Sequence, residues 1–539
     1  MAASFDPTFT RRAFLGSSAA MLGASALSAA PATAGPKFRR FEITDPAMPP
    51  RVLDSYAKGV AEMLKRPPTD PLNWYRNAFI HIFDCPHGNW WFLVWHRAYL
   101  GWLEVKLREL SGDPEFALPY WDWTKTPRIP AAMFNGVLDP DNAAFVASFS
   151  TFKTRFNAPV NALFASFSPA QKKVLAARGL NNPAAFWAGI TPGPDGMFFN
   201  QPNARGLAAA SPDLDSATKV AVSMSTVRSA VRASSFAGSA TGTGAAGFSS
   251  AVAASHNDES RKGILESQSH DNVHGSIGGA KHMAFMINFL SPIDPIFFLH
   301  HGNLDRLWDV WTRRQAARGL PTLPTGANLT AWSREQFLFF SDEKGKPVSK
   351  VKASDYTSMA AFDYDYSPGS GEDQVPVTGP LVAAGPPQRF GVVLRSRRVG
   401  AAEPAGGVAQ VPKAVLAPPD PDGPGHVAEV TLNLTPADRG RRFRVLMSAG
   451  GGTPVEAGGI TVFSHHAHGP TTFSVPIPEG LGAATGGTAP LDIRVVPVER
   501  TDEPAPTGAA PTPKGAIPMV RGAPAAPAPQ VSAISVTTN

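Results

Sequence analysis

Up to about Gly319 the apolar positions of this chain follow a helical period, and beyond it a strand-like one. From Asn89 to Leu110, Phe92, Trp95, His96, Tyr99, Leu103 and Leu107 recur at intervals of three and four, which predicts a helix with one buried stripe. Asn89 suits its N-cap. Asn73 to Ile82 reads as a second helical segment, and residues 35–70 as an arm and a first helix broken at Pro67-Pro68. Phe and Ala periodicities between Pro-Gly turns suggest further helices over 140–200. Asp294-Pro295 supplies an N-cap and a first helical residue for another. Later, short apolar runs such as 390–394, 428–432 and 443–446 lie between Gly/Pro turns, the signature of a small β-sandwich or barrel over 380–500.

Three stretches lack large apolar residues. Residues 204–260, rich in Ala, Ser, Gly and Thr, read as a long low-complexity loop or insertion. Residues 367–379 read as a linker, with Ser367 to Asp373 a natural site for nicking. Residues 501–539, dominated by Pro, Ala, Thr and Gly, read as a disordered tail. The pattern therefore divides the chain into a mainly helical part over 35–366 and a β-rich part.

Composition sharpens this picture in three ways. At 539 residues, 43% hydrophobic and 17% charged, the chain has material for two or three globular domains. The formal net charge of +6, from 49 Lys and Arg against 43 Asp and Glu, comes with no dense basic run, which argues against nucleic acid as a partner. The single cysteine, Cys85, excludes an intramolecular disulfide. At the N-terminus, Arg11-Arg12 precede an Ala-rich apolar stretch to Ala30 and a cleavage-like Ala32-Thr33-Ala34. Residues 1–34 thus resemble a twin-arginine signal peptide, implying the twin-arginine export machinery as a partner and a periplasmic or extracellular destination. Ser and Gly interrupt the stretch, so a permanent membrane anchor is not expected.

The candidate chemistry lies in histidine. Nine of the 13 histidines fall between positions 81 and 301. His96 sits on the buried stripe of its helix, His87 in the turn before it and His81 at the end of the preceding segment, so three imidazoles could converge on one ion. His270 and His274 are spaced i, i+4 on one helical face, with Glu266 a turn earlier. No Glu follows His270, which separates this pattern from zinc peptidases. His300 and His301 point about 100° apart on their helix, so one of them faces the same metal. Asp305, four residues after His301, is a candidate to hold a ligand's second ring nitrogen. An all-imidazole site leans towards copper.

These residues carry a family resemblance. Cys85-Pro86-His87-Gly88, Trp95-His96-Arg97-Ala98-Tyr99-Leu100, His270-Asp271-Asn272-Val273-His274 and the run from Asp294 to Trp308 resemble the two copper-binding regions of tyrosinases and catechol oxidases, the polyphenol oxidases of the type-3 copper class. Leu118 to Trp123 is similar to the segment that follows the first of those regions, and Trp332 to Pro347 with Tyr364-Asp365-Tyr366 to the segment closing the catalytic domain. The resemblance spans roughly 40–500. It implies a four-helix bundle around two copper ions, with His81, His87 and His96 on one and His270, His274 and His301 on the other. It also implies a thioether between Cys85 and the ring of His87, and a C-terminal domain that covers the site and keeps the enzyme latent.

The activity so implied is oxidation of small o-diphenols to o-quinones with O2 as co-substrate. Hydroxylation of monophenols would depend on Glu266, as the carboxylate that orients a water, and on Asp271, where many monophenolases carry Asn. Gly275 leaves space above the second metal but supplies no charge. An o-aminophenol oxidase and a hemocyanin-like oxygen-binding protein are the rival readings. His465-His466-Ala467-His468 reads as a polar loop.

Overall fold

The computed structural model describes residues 35–191, 197–202, 204–239, 247–259, 261–278, 284–375, 388–400, 404–418, 425–435, 438–463, 469–482, 486–498 and 529–538. The proposed signal peptide and the His465–His468 run lie outside them. A short strand β1 (Phe38–Arg40) leads into α1 (Arg51–Lys65), α2 (Trp74–Asp84) and α3 (Phe92–Ser111). There follow α4 (Phe149–Ser166), α5 (Pro169–Ala177), α6 (Pro183–Ile190), α7 (Ser216–Ala221) and α8 (Met224–Val231). A two-residue strand β2 (Arg261–Lys262) precedes a wide π turn, Leu265–His270, that runs directly into α9 (Asp271–Gly278). Then come α10 (Ile296–Ala317), α11 (Gly326–Arg334) and β3 (Tyr364–Tyr366), which pairs in parallel with β1 and closes the helical part. No helix among the described residues is long and apolar enough to cross a membrane.

Local sequence sets the helix ends that matter for the site. Asn73 caps α2, its Oδ1 accepting from the Tyr75 and Arg76 amides at 3.0 and 3.3 Å. The helix stops at Cys85, which is extended, as the following Pro86 requires. Asn89 Oδ1 accepts from the Trp91 amide at 3.0 Å, so it caps the turn leading into α3 rather than the first regular residue, Phe92. Asp294 Oδ1 accepts from the Ile296 amide at 3.1 Å, so it caps the turn leading into α10, whose first regular residue is Ile296, one past the predicted Pro295. The histidine-bearing helices α2, α3, α9 and α10 lie at the centre of the larger hydrophobic core, beside Trp95, Tyr99, Phe289 and Phe297.

The C-terminal part is a sandwich of two five-stranded sheets. One sheet runs β5 (Val393–Ser396), β6 (Ala405–Pro412), β11 (Thr488–Pro497), β8 (Arg442–Ala449) and β9 (Val455–Thr461). The other runs β2, β10 (Gly469–Pro476), β7 (Val427–Leu434), β12 (Gln530–Thr537) and β4 (Arg389–Gly391). Alternate residues such as Leu491, Ile493 and Val495 fill the space between the sheets. β2 belongs to the helical part, and its parallel pairing with β10 (Arg261 with Thr472, Lys262 with Phe473) makes one sheet continuous across both domains.

Three expectations from composition need correction. Within 204–260 the structure places α7 and α8, capped by Asp215 and Ser223, with Val227 and Val231 fully buried. Small Ala, Ser and Thr residues give a weak periodic signal yet allow the close packing seen there. The linker is pinned over 367–375, where Tyr120 donates to the Ser367 carbonyl at 3.0 Å and Asp122 accepts from the Ser370 amide at 2.7 Å. Hydrogen bonds, to which apolar content is blind, hold it down. The tail contains β12, an interior strand between β7 and β4. Its buried residues Val531, Ile534 and Val536 straddle a register shift at residues 531–533, so they miss a strict alternation, and the Pro/Ala-rich residues before them swamp their signal.

Candidate metal centre

The first histidine set is assembled by the end of α2, the turn after it and α3. The ligand atoms of His81, Cys85, His87 and His96 all lie within 4.8 Å of one another, and all four side chains are buried. His81 Nδ1 meets the Phe289 carbonyl at 3.1 Å and His96 Nδ1 the Phe92 carbonyl at 2.7 Å. A carbonyl can only accept, so each Nδ1 carries the proton and each Nε2 keeps its lone pair. Burial holds the pKa of both well below the ordinary imidazole value, His96 at about 3, so both rings stay neutral. The Cys85 Sγ lies 3.6 and 3.9 Å from the two ring nitrogens of His87 and 3.4 Å from His96 Nε2.

The second set comes from the π turn, α9 and α10. Ligand atoms of His270, His274, His300 and His301 also lie within 4.8 Å of one another. His274 Nδ1 meets the Met286 carbonyl at 2.5 Å, which leaves its Nε2 lone pair facing His301 Nε2 at 3.3 Å. Burial lowers the His274 pKa to about 3. His300 packs against His270 with rings 24° from parallel, and neither of its nitrogens has a hydrogen-bond partner. The two sets touch: His96 and His301 stack at 4.1 Å, and the His87 and His270 centroids are 5.3 Å apart.

Around the second set lies a buried charged cluster. Asp271 Oδ1 sits 2.8 Å from His270 Nδ1, and its Oδ2 accepts from Lys262 Nζ at 2.7 Å. Glu266 accepts from the Gly88 amide at 2.7 Å and from the Ser250 hydroxyl, with Lys262 Nζ 3.8 Å away. Burial pushes both carboxyls above their usual range, tempered by Lys262. For Lys262 burial opposes the charge, but Asp271 and Glu266 outweigh it and raise its pKa.

Asp305 is not where the spacing suggested. It lies one turn beyond the histidines, where it accepts from Arg97 Nε at 2.6 Å, Tyr366 OH at 2.7 Å, Tyr364 OH and Arg40 Nη1 at 3.4 Å. A full helical turn carries its side chain past the ligands to the arginine on α3, and Asp271 takes the imidazole partner's role at His270 instead.

One residue of the site escaped sequence reasoning. Phe463, just beyond β9, inserts its ring between the two sets: centroids are 4.4 Å from His274, 5.1 Å from His87 and 5.4 Å from His270. Its carbonyl accepts from Lys262 Nζ at 2.8 Å. The available signal was an apolar pair, Val462-Phe463, running past a strand into a polar loop. Beside it, Thr461 and Arg442 fill the space next to Gly275, where a Cβ would lie 2.6 Å from Thr461 Oγ1.

The common central domain of tyrosinase matches residues 63–314, which hold all six proposed ligands. The chain is 26% identical to a tyrosinase of Hahella sp. over 351 residues, covering 59% of this chain and 60% of that protein. It is 27% identical over 335 residues to (+)-larreatricin hydroxylase of Larrea tridentata, covering 59% and 47%. It therefore spans about half the length of these curated relatives, or somewhat more. Among solved structures, latent aurone synthase (polyphenol oxidase) aligns with TM-score 0.53 at 19% identity over 94% of this chain and 90% of that one. Latent apple tyrosinase aligns at 0.52 and 17%, over 94% and 98%. Residues 63–314 of this chain are therefore a tyrosinase central domain, the domain shared by the tyrosinase/polyphenol oxidase family of type-3 copper proteins.

The residues present fit the dicopper centre of that family. His81 Nε2 and His270 Nε2 are buried with no hydrogen-bond partner, while Nδ1 of each is engaged by the protein. His274 Nε2, its lone pair left free by the Met286 carbonyl on Nδ1, faces His301 Nε2 at 3.3 Å, so the rings of the second set also present nitrogens towards one another. Neutral nitrogen donors in two adjoining sets suit a pair of coppers that change oxidation state while the protein keeps its charge.

Proposed function

We propose that this chain is a polyphenol oxidase that uses a dicopper centre and O2 to oxidise o-diphenols to o-quinones. His81, His87 and His96 would hold one copper, and His270, His274 and His301 the other. Bound there, the metals would supply the electron transfer between substrate and oxygen. Each diphenol gives two electrons and two protons, so two diphenols reduce one O2 to two waters. The protein's part is positional. Carbonyls of Phe289, Phe92 and Met286 fix three ring orientations, and the aromatic wall of Phe92, Phe289 and Phe297 keeps water out.

The observation that carries this reading is the aromatic ring of Phe463 seated between the histidine sets, because it marks a space shaped for a planar ring against His274. In that position the C-terminal sandwich would act as a lid and keep the enzyme latent. Monophenol hydroxylation is the finer proposal: Glu266 and Asp271, which share Lys262 with the occupant of that space, would manage the phenol's proton. A thioether between Cys85 and His87 would further fix the latter ring. The N-terminal arginine pair supports export by the twin-arginine route, with copper loaded before transit.

Oxygen uptake by the copper-loaded chain with catechol, its matching monophenol and o-aminophenol, side by side, tests this reading. Uptake with catechol supports the oxidase, and uptake with the monophenol adds tyrosinase activity. Preference for o-aminophenol would reassign the substrate. Reversible oxygen binding without turnover after the lid is opened would make it an oxygen carrier.

A further inference from the structure

Phe463 presents more than a ring to the site. Reading outward from the ring, its own atoms run through Cβ and Cα to a carbonyl, and that carbonyl accepts from Lys262 Nζ at 2.8 Å. The plug is thus itself a 3-arylpropanoyl group: an aromatic ring, two carbons and a carbonyl oxygen, with the ring on His274 and the oxygen on a lysine. Lys262 belongs to β2 in the helical part, so it stays when the lid leaves. Its ammonium is fully buried. Asp271 Oδ2 accepts from one of its N–H groups at 2.7 Å, while Glu266 at 3.8 Å is beyond hydrogen-bond reach. Withdrawal of Phe463 therefore leaves one N–H of the buried ammonium without its acceptor, which costs free energy until a new one arrives.

We propose that Lys262 is a substrate-anchoring residue, and that the opened site selects phenols bearing a carbonyl two carbons from the ring. This rests on the oxidase reading above for the fate of the ring, but the anchoring itself needs no turnover. Selection follows from the unpaired donor: a ligand with the ring but no carbonyl leaves Nζ unsatisfied, and sites built around a buried polar group reject such analogues strongly. The preferred carbonyl is uncharged, as in an amide or a peptide-linked tyrosine. Two carboxyl groups, Asp271 and Glu266, already share the one ammonium, and a third anion would repel them. The occupant seen in the structure, a peptide carbonyl, is of this uncharged kind.

Calorimetry on the full chain carrying Phe463→Gly and prepared without copper separates this from the redox chemistry. The ligands are 3-(4-hydroxyphenyl)propanamide, 3-(4-hydroxyphenyl)propanoate and 4-ethylphenol. The amide is expected to bind about tenfold or more tighter than 4-ethylphenol, as one charge-assisted hydrogen bond provides, with the acid between them. Adding Lys262→Met is expected to bring all three within about twofold, and Lys262→Arg to retain part of the preference. Equal affinities in the Phe463→Gly chain, no measurable binding by any ligand, or a preference that survives Lys262→Met would each overturn the proposal. Should Lys262→Met fail to fold, the ligand series on the unaltered lysine still decides. A tight acid and a weak amide would keep the anchor but refute its preference for an uncharged carbonyl. A failed oxygen-uptake assay with an intact binding series would refute only the oxidase reading.

Discussion

His96 and His301 stack face to face, ring centroids 4.1 Å apart and planes 10° from parallel, although they belong to different histidine sets. The stack makes one wall of the metal centre common to both halves. It also separates His301 from its neighbour: His301 Nε2 points at His274 Nε2, while His300 packs flat on His270.

Replacing His301 by Ala is therefore expected to cost the chain one of its two coppers. His300→Ala should leave both in place. Metal content per folded chain, measured by atomic absorption, checks this, and equal losses in the two variants would contradict the assignment of the third ligand.

Phe463→Gly in the full chain is expected to raise oxygen uptake with catechol. A buried Phe side chain is worth about 1.5–3 kcal/mol, which a substrate must displace. That corresponds to a gain in kcat/KM of about tenfold to a hundredfold. Copper content should stay the same, and unaltered uptake at full copper loading would show that the ring is no barrier.

Asp305 gives a pH prediction with a definite sign. Burial alone would raise its pKa, but Arg97 and Arg40 outweigh burial and hold it below the usual carboxylate range. A depressed folded pKa means the stabilisation is fully present above the unfolded value of about 3.9 and is lost as pH falls through the folded one. Asp305→Asn should destabilise the chain by about 3–5 kcal/mol at neutral pH, because two buried arginines lose their charge partner. Its deficit should shrink as pH falls below about 3.9, where the unfolded carboxylate takes up its proton, and vanish below the depressed folded pKa. Urea unfolding across pH reads both, and a deficit that does not change with pH would refute the ion-pair account.

How much was legible in sequence depended on how local the signal was. The helix through Phe92, Trp95, His96 and Tyr99 and the start near Asp294-Pro295 are encoded within a few residues, and both form, α10 one residue late and α3 buried on every side from Phe92 to Gly101 rather than along one stripe. The clustering of histidines within each set followed from the same spacing. Contacts between distant segments were not readable. Spacing alone put Asp305 beside a ligand, whereas the register of α10 against α3 delivers it to Arg97. Phe463 reaches the site because β9, whose Gly459 and Thr461 hydrogen-bond Asn272, delivers it beside the histidines, and no local pattern encodes that contact.

The final strand carries a consequence for control of the site. β12 lies between β7 and β4, and its Val531, Ile534 and Val536 are part of the sandwich core. At about 1.5–3 kcal/mol for each fully buried side chain, their loss removes about 5–9 kcal/mol. That is comparable with the whole stability of an ordinary domain, about 5–15 kcal/mol. A chain stopped at Gln530 should therefore lose the lid's order while the helical core, which contains both histidine sets, keeps its copper. The sandwich would become sensitive to protease, Phe463 would leave His274, and oxygen uptake would appear without any substitution in the site. Limited proteolysis and oxygen uptake on the same preparation test this together. A shortened chain that resists protease and stays silent would show that β12 is dispensable for closure, and one that is cut yet silent would show that something other than the sandwich keeps the site closed.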